Sequence, residues 1–317
     1  MKAIDHTFAE IELPKPTPAG RDLLVKVEAI SVNPVDTKQR KTRTSGSHVL
    51  GWDAAGTVES VGRDVSLFKP GDAVYYAGDV TRPGCDSEFH LVDERIVGRK
   101  PKKLDFAQAA AMPLTSITAW EAFYDRMHVV QGKSMLIIGG AGGVGSIGIQ
   151  LAKASNLKVI ATASRPETVA WVKELGADQV VNHRENLVSQ IKKPVDYIAN
   201  FSGELDAYWP AMAELIAPQG AMVAIVGNQK PLPMDVVRSK SVTLCWELMF
   251  TRPRFQTPDM IEQHRLLNQV AERLDAGKLK CTLKETLSPI SGANLKKAHE
   301  RLESGTMIGK LVLKGWA

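Results

Sequence analysis

The sequence predicts a mixed α/β fold, in which a doubly wound parallel sheet is joined to a smaller, β-rich domain. Closely spaced strands with Gly and Pro between them occupy the first third of the chain, and apolar strands alternate with amphipathic helices in the middle third. The 317 residues also exceed what a single hydrophobic core usually serves, so two domains are expected. The hydrophobic fraction of 44% and the charged fraction of 24% are typical of a folded globular protein.

Strands of the β-rich domain are predicted where β-branched and apolar residues lie between turn residues. The segment Leu23–Ile30 is rich in Leu, Val and Ile and follows the turn-forming Pro18–Arg21. Gly56–Gly62 alternates apolar and polar residues between two glycines, and the turn Pro70–Asp72 leads into Ala73–Tyr76. Short strands at this spacing indicate a small β domain.

The pattern changes near residue 104, where helical segments are predicted over 105–111 and 118–124. After them, continuous apolar runs alternate with amphipathic segments, which is typical of a parallel sheet covered by helices on both faces. Strands are expected at 135–138, 159–161, 180–181, 195–199, 221–226 and 242–246, and helices at 146–154, 168–175 and 209–216. A long helix over 258–276 and short strands ending at 309–313 complete the β-rich domain. The predicted domains are therefore 1–111 with 251–317, and 112–250.

The chain carries a mild excess of positive charge. A net charge of +5 and a pI of about 9.0 are compatible with a phosphate-bearing cofactor but do not require an anionic partner. The densest basic group comprises Lys38, Arg40, Lys41 and Arg43, and we interpret it as a solvated loop rather than a nucleic-acid site.

Cysteine usage and hydropathy indicate the compartment. Cys85, Cys245 and Cys281 are widely separated and include no CxxC pair, so they form neither a disulfide framework nor a four-cysteine zinc lobe. The chain opens on no signal-peptide pattern, and no apolar run is long enough to span a bilayer. A cytoplasmic protein is expected.

A glycine-rich turn between a predicted strand and a predicted helix is the most specific motif of the chain. It reads Gly140-Ala141-Gly142-Gly143-Val144-Gly145, which is GxGxxG. Gly140 permits the tight turn, Gly142 lets the backbone approach a pyrophosphate, and Gly145 lets the helix pack close to the strand. The helix N-terminus then offers N–H groups and a positive dipole end to phosphates, so this is a predicted Rossmann dinucleotide site.

The end of the second predicted strand indicates which dinucleotide is bound. A site for NAD places Asp or Glu there to accept the ribose 2′-hydroxyl, but this chain has Ser164 and Arg165. A hydroxyl and a planar guanidinium suit a 2′-phosphate instead, so NADPH is the predicted cofactor. Glu167 lies beyond Pro166 and is assigned to the next helix; the alternative for Arg165 is a solvated residue at the helix entry.

Together with other motifs, these residues resemble the zinc-free, quinone-oxidoreductase-like branch of the medium-chain dehydrogenases/reductases. Members of this branch often carry zinc-type alcohol dehydrogenase-like names. The resemblance covers nearly the whole chain and implies a GroES-like catalytic domain beside a Rossmann domain, with the active site in the cleft between them. Besides the glycine turn, it rests on Ser31–Asp36, Leu50–Val58, Pro70–Val74, Pro113–Ala119 and Ile308–Lys310.

The resemblance also implies that no metal is bound. Zinc-dependent members use Cys, then His followed by Glu, then a third thiolate or carboxylate. The matching positions here are Asn33 or its neighbour, Trp52 with Asp53, and Leu114. Trp and Leu cannot coordinate zinc, which needs protein ligands such as thiolate, imidazole or carboxylate. Without a Lewis acid the acceptor must already be electrophilic, so a quinone or an α,β-unsaturated carbonyl (enone) is expected.

Candidate catalytic residues follow from their positions relative to these motifs. Asn33 lies in the segment that carries a metal ligand in relatives, Asp36 is placed to orient it, Trp52 is a candidate apolar wall, and Tyr76 is a candidate proton donor. Each has a structural alternative: a turn residue for Asn33, a helix cap for Asp36, core packing for Trp52, and an ordinary core or surface tyrosine for Tyr76. The segment 40–49, which shapes the acceptor pocket in relatives, is short and polar.

The resemblance and the ends of the predicted parallel strands together propose further cofactor contacts. Thr118 is similar to the family residue that reaches the nicotinamide end, and Lys310 to a family residue near the cofactor. Strand ends at the switch point of the sheet, and a segment expected on the acceptor side, add Phe201, Ser202, Val226, Gly227, Met249, Phe250 and Thr251.

The sequence is also compatible with other functions. A zinc-free alcohol dehydrogenase or carbonyl reductase is possible within the enzyme class, and a non-catalytic NADPH-binding sensor or an RNA-associated protein lies outside it. Neither nucleic acid nor membrane is an expected partner. The family resemblance implies a homodimer. The sixth predicted strand of the parallel sheet, Val242–Trp246, is the candidate edge for pairing with its two-fold mate.

Overall fold

The computed structural model describes residues 1–43 and 45–316. Within this part, the chain forms two compact units: Met1–Ile117 with Phe250–Ala317, and Thr118–Met249. The first unit is β-rich and the second carries a parallel sheet flanked by helices, so the predicted α/β fold class is confirmed. Among the described residues, no helix has the length and apolar character needed to cross a membrane.

The strands, in chain order, are β1 (Lys2–Ile4), β2 (Glu10–Glu12), β3 (Asp22–Ser31), β4 (Ala54–Val61), β5 (Ala73–Tyr76), β6 (Phe89–Asp93), β7 (Val97–Arg99), β8 (Ser134–Ile138), β9 (Lys158–Thr162), β10 (Gln179–Val181), β11 (Val195–Asn200), β12 (Ile216–Ala224), β13 (Thr243–Trp246), β14 (Leu283–Leu287) and β15 (Lys310–Lys314). The helices are α1 (Pro34–Thr42), α2 (Phe106–Ala110), α3 (Pro113–Trp120), α4 (Gly143–Ala154), α5 (Pro166–Glu174), α6 (Leu187–Gln190), α7 (Trp209–Leu215), α8 (Asp235–Arg238), α9 (Thr251–Phe255), α10 (Glu262–Asp275) and α11 (Gly292–Glu303).

The sheet of the β-rich unit brings three distant segments of the chain together. Its strands lie in the order β14-β15-β3-β4-β5-β7, and β6 also pairs with β3. Ser31 at the end of β3 pairs with Val312 of β15, and Ile30 pairs with Ala54 at the start of β4. The residues just beyond the end of β3, before β4 and at the start of β15 therefore lie side by side.

The core of this unit contains apolar side chains from its strands and from the segments that pack on them. Leu23, Val25 and Val27 from β3 enter this core, whereas Lys26 between the last two is exposed. Burial of this apolar face fixes the register of β3, because a shift by one residue would turn the apolar set toward solvent.

The other unit is a doubly wound sheet with a topological switch point. In the described part of the chain its parallel strands lie in the order β10-β9-β8-β11-β12-β13, and the winding reverses between β8 and β11. The strands are short apolar runs such as Met135–Ile138, buried on both faces. Dinucleotides bind sheets of this kind outside the carboxyl ends of the strands at the switch point.

Several predicted elements are wrong in detail. The basic group containing Lys38 and Arg40 is not a loop, because Pro34 in the first turn and Asp36 at its third position begin helix α1. The segment after residue 276 does not consist of short strands alone, since helix α11 spans Gly292–Glu303 and buries Leu295 and Ala298. The helix predicted at 118–124 begins earlier, as α3, and continues as a π-helical turn.

Candidate functional site

The glycine turn lies between β8 and α4, as the motif predicts. A Cβ atom on Gly145 would lie 2.2 Å from the carbonyl oxygen of Gly139, so the fold itself excludes any side chain there. A Cβ atom on Gly142 would meet nothing closer than 3.5 Å, which is an ordinary contact, and its φ of −72° suits any residue. Because the fold does not require glycine at 142, the open space beside it fits the approach of a ligand phosphate.

Helix α4 presents its N-terminus at this turn. Gly142 is the N-cap residue, and within the described residues no side chain caps the helix. The Gly139 N–H donates to Thr162 Oγ1 at 2.9 Å, which fixes the turn against the end of β9. A helix of this length carries a positive dipole end and N–H groups that bind anions, so the turn fits a dinucleotide pyrophosphate.

The predicted 2′-phosphate residues lie one strand away, where β9 ends. Arg165 is the N-cap residue of α5, and its Nε donates to Glu167 Oε1 at 2.6 Å. Ser164 Oγ lies 3.4 Å from His183 Nε2, a residue that sequence analysis missed. The position of His183 just after β10 could have indicated it, because β10 is the parallel neighbour of β9.

The residues predicted after β11 and β12 differ in their surroundings. The Phe201 ring stacks on Phe123 with ring centroids 5.8 Å apart, and Ser202 Oγ donates to Asn200 Oδ1 at 2.6 Å. Val226 packs against the apolar core of the unit, whereas a Cβ atom on Gly227 would meet no heavy atom within 4 Å. Gly227 therefore leaves space beside the backbone, as Gly142 does.

The residues expected near the nicotinamide and the acceptor are largely buried. Thr118 lies in α3, and Met249 and Phe250 immediately precede α9, which begins at Thr251. The Phe250 and Trp52 rings pack in a T-shaped arrangement, with ring centroids 6.3 Å apart. Their predicted contacts with a cofactor stay predictions.

A buried polar network joins Asn33, Asp53 and Lys310. Asn33 Nδ2 donates to Asp53 Oδ2 at 2.9 Å, with the carbonyl oxygens of Ser31 and Trp52 at 3.2 Å. Lys310 Nζ donates to Asn33 Oδ1 at 2.5 Å, to Asp53 Oδ2 at 3.0 Å and to the Val32 carbonyl oxygen at 2.9 Å. Residues separated by more than 250 positions thus form one network (257 from Asp53 to Lys310).

The network uses the hydrogen-bonding groups of its members completely. An ammonium carries three donors, and all three of Lys310 point to protein oxygens. Asp53 Oδ1 accepts from the Leu114 N–H at 2.8 Å. Burial raises the pKa of Asp53, and the Lys310 ammonium acts in the opposite direction. Lys310 was predicted near the cofactor. In this structure its ammonium group donates its hydrogen bonds to Asn33, Asp53 and the Val32 carbonyl oxygen.

Asp36 lies beside this network. It was predicted to orient the side-chain amide of Asn33, but it bonds to the main chain of Asn33 instead. Its Oδ2 accepts from the main-chain N–H of Asn33 at 2.6 Å, which is the capping arrangement left open as its alternative. Its Oδ1 is buried and has no hydrogen-bond partner among the residues described. Burial raises the pKa of Asp36 to about 7, which favours the protonated carboxyl group well above its ordinary pH range.

Trp52 and Tyr76 are both fully buried, but their side chains bond to different partners. Trp52 Nε1 donates to the Asp79 carbonyl oxygen at 3.2 Å. Tyr76 stacks on His90, and its hydroxyl lies 3.1 Å from His90 Nδ1. Burial raises the pKa of Tyr76 well above its ordinary value and lowers that of His90 to about 4. The structure thus brings Asn33, Asp36 and Trp52 into adjoining contacts, whereas Tyr76 bonds elsewhere.

The described residues contain no group of three or more His, Cys, Asp or Glu side chains placed to hold a metal ion. His48 bonds to Arg43 and to the Ser45 carbonyl oxygen, and the Cys85 thiol is buried against the Asp53 carbonyl oxygen. Residue 44, within the segment expected to shape the acceptor pocket, lies outside the described residues. Absence of zinc stays a prediction.

Comparisons with known proteins define the family. The alcohol dehydrogenase GroES-like domain model matches residues 19–102, and the zinc-binding dehydrogenase model matches residues 175–313. A zinc-type alcohol dehydrogenase-like protein of Staphylococcus aureus strain COL is 46% identical over 317 residues, covering 97% of this chain and 95% of its own.

Solved structures give the same result. A Rhizobium etli CFN 42 protein, described provisionally as a zinc-dependent alcohol dehydrogenase, is 50% identical with a TM-score of 0.96, covering 100% of this chain and 98% of its own. The Escherichia coli quinone oxidoreductase, solved in complex with NADPH, is 26% identical with a TM-score of 0.86, covering 99% of this chain and 100% of its own. The chain therefore belongs to the medium-chain dehydrogenase/reductase superfamily, as a quinone-oxidoreductase-like member.

Proposed function

We propose that this oxidoreductase uses NADPH to reduce a quinone or an α,β-unsaturated carbonyl, and that it does so without zinc. The buried network of Asn33, Asp53 and Lys310 carries the proposal. By family resemblance, two of its members, Asn33 and Asp53, lie at or next to positions where zinc-dependent members hold their metal. The Lys310 ammonium lies 3.0 Å from Asp53 Oδ2, so the available carboxylate is already neutralised and a second cation would be repelled.

Two features of the nucleotide-binding unit support the choice of cofactor. The open space at Gly142 and the N-terminus of α4 suit a pyrophosphate. Where β9 and β10 end, a hydroxyl, a guanidinium and an imidazole are present, from Ser164, Arg165 and His183. The nearest acid, Glu167, is bound to Arg165. A 2′-phosphate would replace Glu167 as the partner of Arg165, since both present the oxygen pairs that a guanidinium binds.

The chemistry divides between the cofactor and the protein. Reduced nicotinamide supplies a hydride when it is bound. This chain binds and orients the dinucleotide through the glycine turn, while the Asn33 network holds the loop between β3 and α1 rigid. Burial raises the pKa of Asp36 to about 7, so its carboxyl group is a buried group able to hold a proton near neutral pH.

The proposal is tested by following oxidation of NADPH and NADH with benzoquinone, a naphthoquinone, an enone and a simple aldehyde. Each assay is run with and without a chelator, and the metal content of the purified protein is measured. We expect turnover of quinone or enone that the chelator does not change, with NADH a much poorer donor. Activity lost to the chelator would refute the zinc-free mechanism. Tight NADPH binding without any turnover would favour a non-catalytic sensor.

A further inference from the structure

His183 lies beside the residues proposed to bind the 2′-phosphate, and the sheet fixes its position. It follows β10 by two residues, and its Nε2 lies 3.4 Å from Ser164 Oγ. The Ala163 N–H donates to the Val181 carbonyl oxygen at 3.0 Å, which holds the carboxyl ends of the parallel strands β9 and β10 together. The imidazole and the Ser164 hydroxyl therefore face the same small region.

The charged groups around His183 come from its own loop and from the start of α5. Arg184 and Arg165 contribute positive charge, whereas Glu167 is held by Arg165 at 2.6 Å and Glu185 accepts from Asn182 at 2.8 Å. Partial desolvation, followed by the charges of Arg184 and Arg165, lowers the pKa of His183 below its ordinary value of 6.5. Without a bound anion these surroundings therefore favour the neutral imidazole.

We propose that His183 makes the choice of cofactor depend on proton concentration: it takes up a proton from solvent when a 2′-phosphate binds beside it. The inference rests on the proposed use of NADPH. A phosphate dianion reverses the local charge, and an opposite charge within about 4–6 Å favours the protonated imidazole. The protonated ring then donates from both nitrogens to phosphate or hydroxyl oxygens. A ribose 2′-hydroxyl brings no charge, so NADH binding involves no such proton.

The test compares adenosine 2′,5′-bisphosphate with adenosine 5′-monophosphate by titration calorimetry between about pH 6 and pH 8. If the phosphate raises the pKa of His183 by about one unit, the preference for the bisphosphate is up to about tenfold greater at the lower pH. Calorimetry in buffers with different ionisation enthalpies should also detect proton uptake with the bisphosphate and none with the monophosphate.

Variants separate this effect from ionisation of the phosphate itself, which every form of the protein shares. His183→Gln should remove the proton uptake and the excess preference at low pH, whereas His183→Lys should keep the preference without the uptake. His128→Gln, which changes an exposed histidine of the same unit, should behave as the wild type. Equal pH dependence in the wild type and His183→Gln would overturn the role of His183 alone. No preference for the bisphosphate in any variant would overturn the use of NADPH as well.

Discussion

Lys310 shows how one residue can maintain a buried charge balance. Its ammonium donates to Asp53, Asn33 and Val32, and both charged side chains of the pair are almost fully buried. Removing one partner of a buried pair leaves an uncompensated charge, which costs about 3–5 kcal/mol. We expect Lys310→Met to lower the free energy of unfolding by about that amount in urea denaturation.

Two comparisons make this prediction specific to the charge. Lys314→Met removes an exposed lysine from the same strand and should change the free energy of unfolding by less than about 0.5 kcal/mol. The double variant Lys310→Met with Asp53→Asn removes both charges and should recover part of the loss. If Lys310→Met is as stable as Lys314→Met, the network contributes nothing to folding.

The glycine turn separates a requirement of folding from a requirement of binding. Gly142→Ala adds a Cβ atom that meets nothing closer than 3.5 Å, so the stability should fall by about 1 kcal/mol or less. The same methyl group lies where a pyrophosphate would approach, so the Kd for NADPH should rise at least about tenfold. Thermal unfolding and fluorescence titration measure the two effects separately.

Gly145→Ala provides the matched control within the same turn. Its Cβ atom would lie 2.2 Å from the Gly139 carbonyl oxygen and 2.7 Å from Gly140 Cα, so folding itself should suffer. A Gly142→Ala variant that unfolds like Gly145→Ala would contradict the assignment of Gly142 to ligand binding.

Helix α11 carries a titratable group that should make stability depend on pH. His299 is buried, its ring lies edge-on to Phe8, and within residues 1–43 and 45–316 neither ring nitrogen has a hydrogen-bond partner. Burial, with a contribution from Arg40, lowers the pKa of His299 to about 4. In the unfolded chain this histidine takes up a proton near pH 6.5, whereas in the folded chain it does so only near pH 4. The free energy of unfolding therefore falls as the pH decreases from about 6.5 to about 4.

The measurement is urea denaturation across that pH range. One histidine with this shift accounts for up to about 3 kcal/mol of the loss. His299→Leu should reduce the loss by that order, because leucine neither titrates nor requires a partner. The buried His90 should leave a similar loss of its own in the variant. An unchanged pH profile in His299→Leu would show that His299 gains access to water or a partner in the folded protein.

Strands and helices whose apolar residues recur at regular spacing could be predicted from the sequence. Elements that bury polar residues, or that are very short, could not. The strand predicted at Ala73–Tyr76 is confirmed, because it follows a tight turn and buries most of its residues. Helix α1 was missed because the residues that it buries, Asp36 and Thr37, are polar. Helix α11 was missed because charged residues dominate its sequence around Leu295.

The candidate site shows the same division. The glycine turn is local in sequence, and its chemistry could be inferred from the flanking strand and helix. The contact of Lys310 with Asn33 and Asp53 depends on the pairing of β15 with β3, which no local pattern encodes. His183 was missed because β10 has three residues, too few for a period to indicate where its carboxyl end lies.

At the scale of the whole molecule, the edge of the parallel sheet presents a surface suited to self-association. In the described part of the chain, β13 is the terminal strand of its sheet, paired with β12. Trp246 and Leu248, at and just beyond its end, are 47% and 48% exposed, which is unusual for large apolar side chains on one short segment. An unprotected edge strand with apolar side chains pairs readily with a copy of itself across a two-fold axis.

We therefore expect a dimer in which β13 pairs with its counterpart, and sedimentation velocity at micromolar concentration should give twice the mass of the 34.6 kDa chain. Trp246→Lys places a charge at this edge and should raise the dissociation constant of the dimer about a hundredfold, because burying an unpaired ammonium costs several kcal/mol. Leu13→Lys, an equally drastic change at an exposed apolar residue of the other unit, should leave the mass unchanged. A monomeric wild type, or a dimer that dissociates equally in both variants, would exclude the β13 edge as the interface.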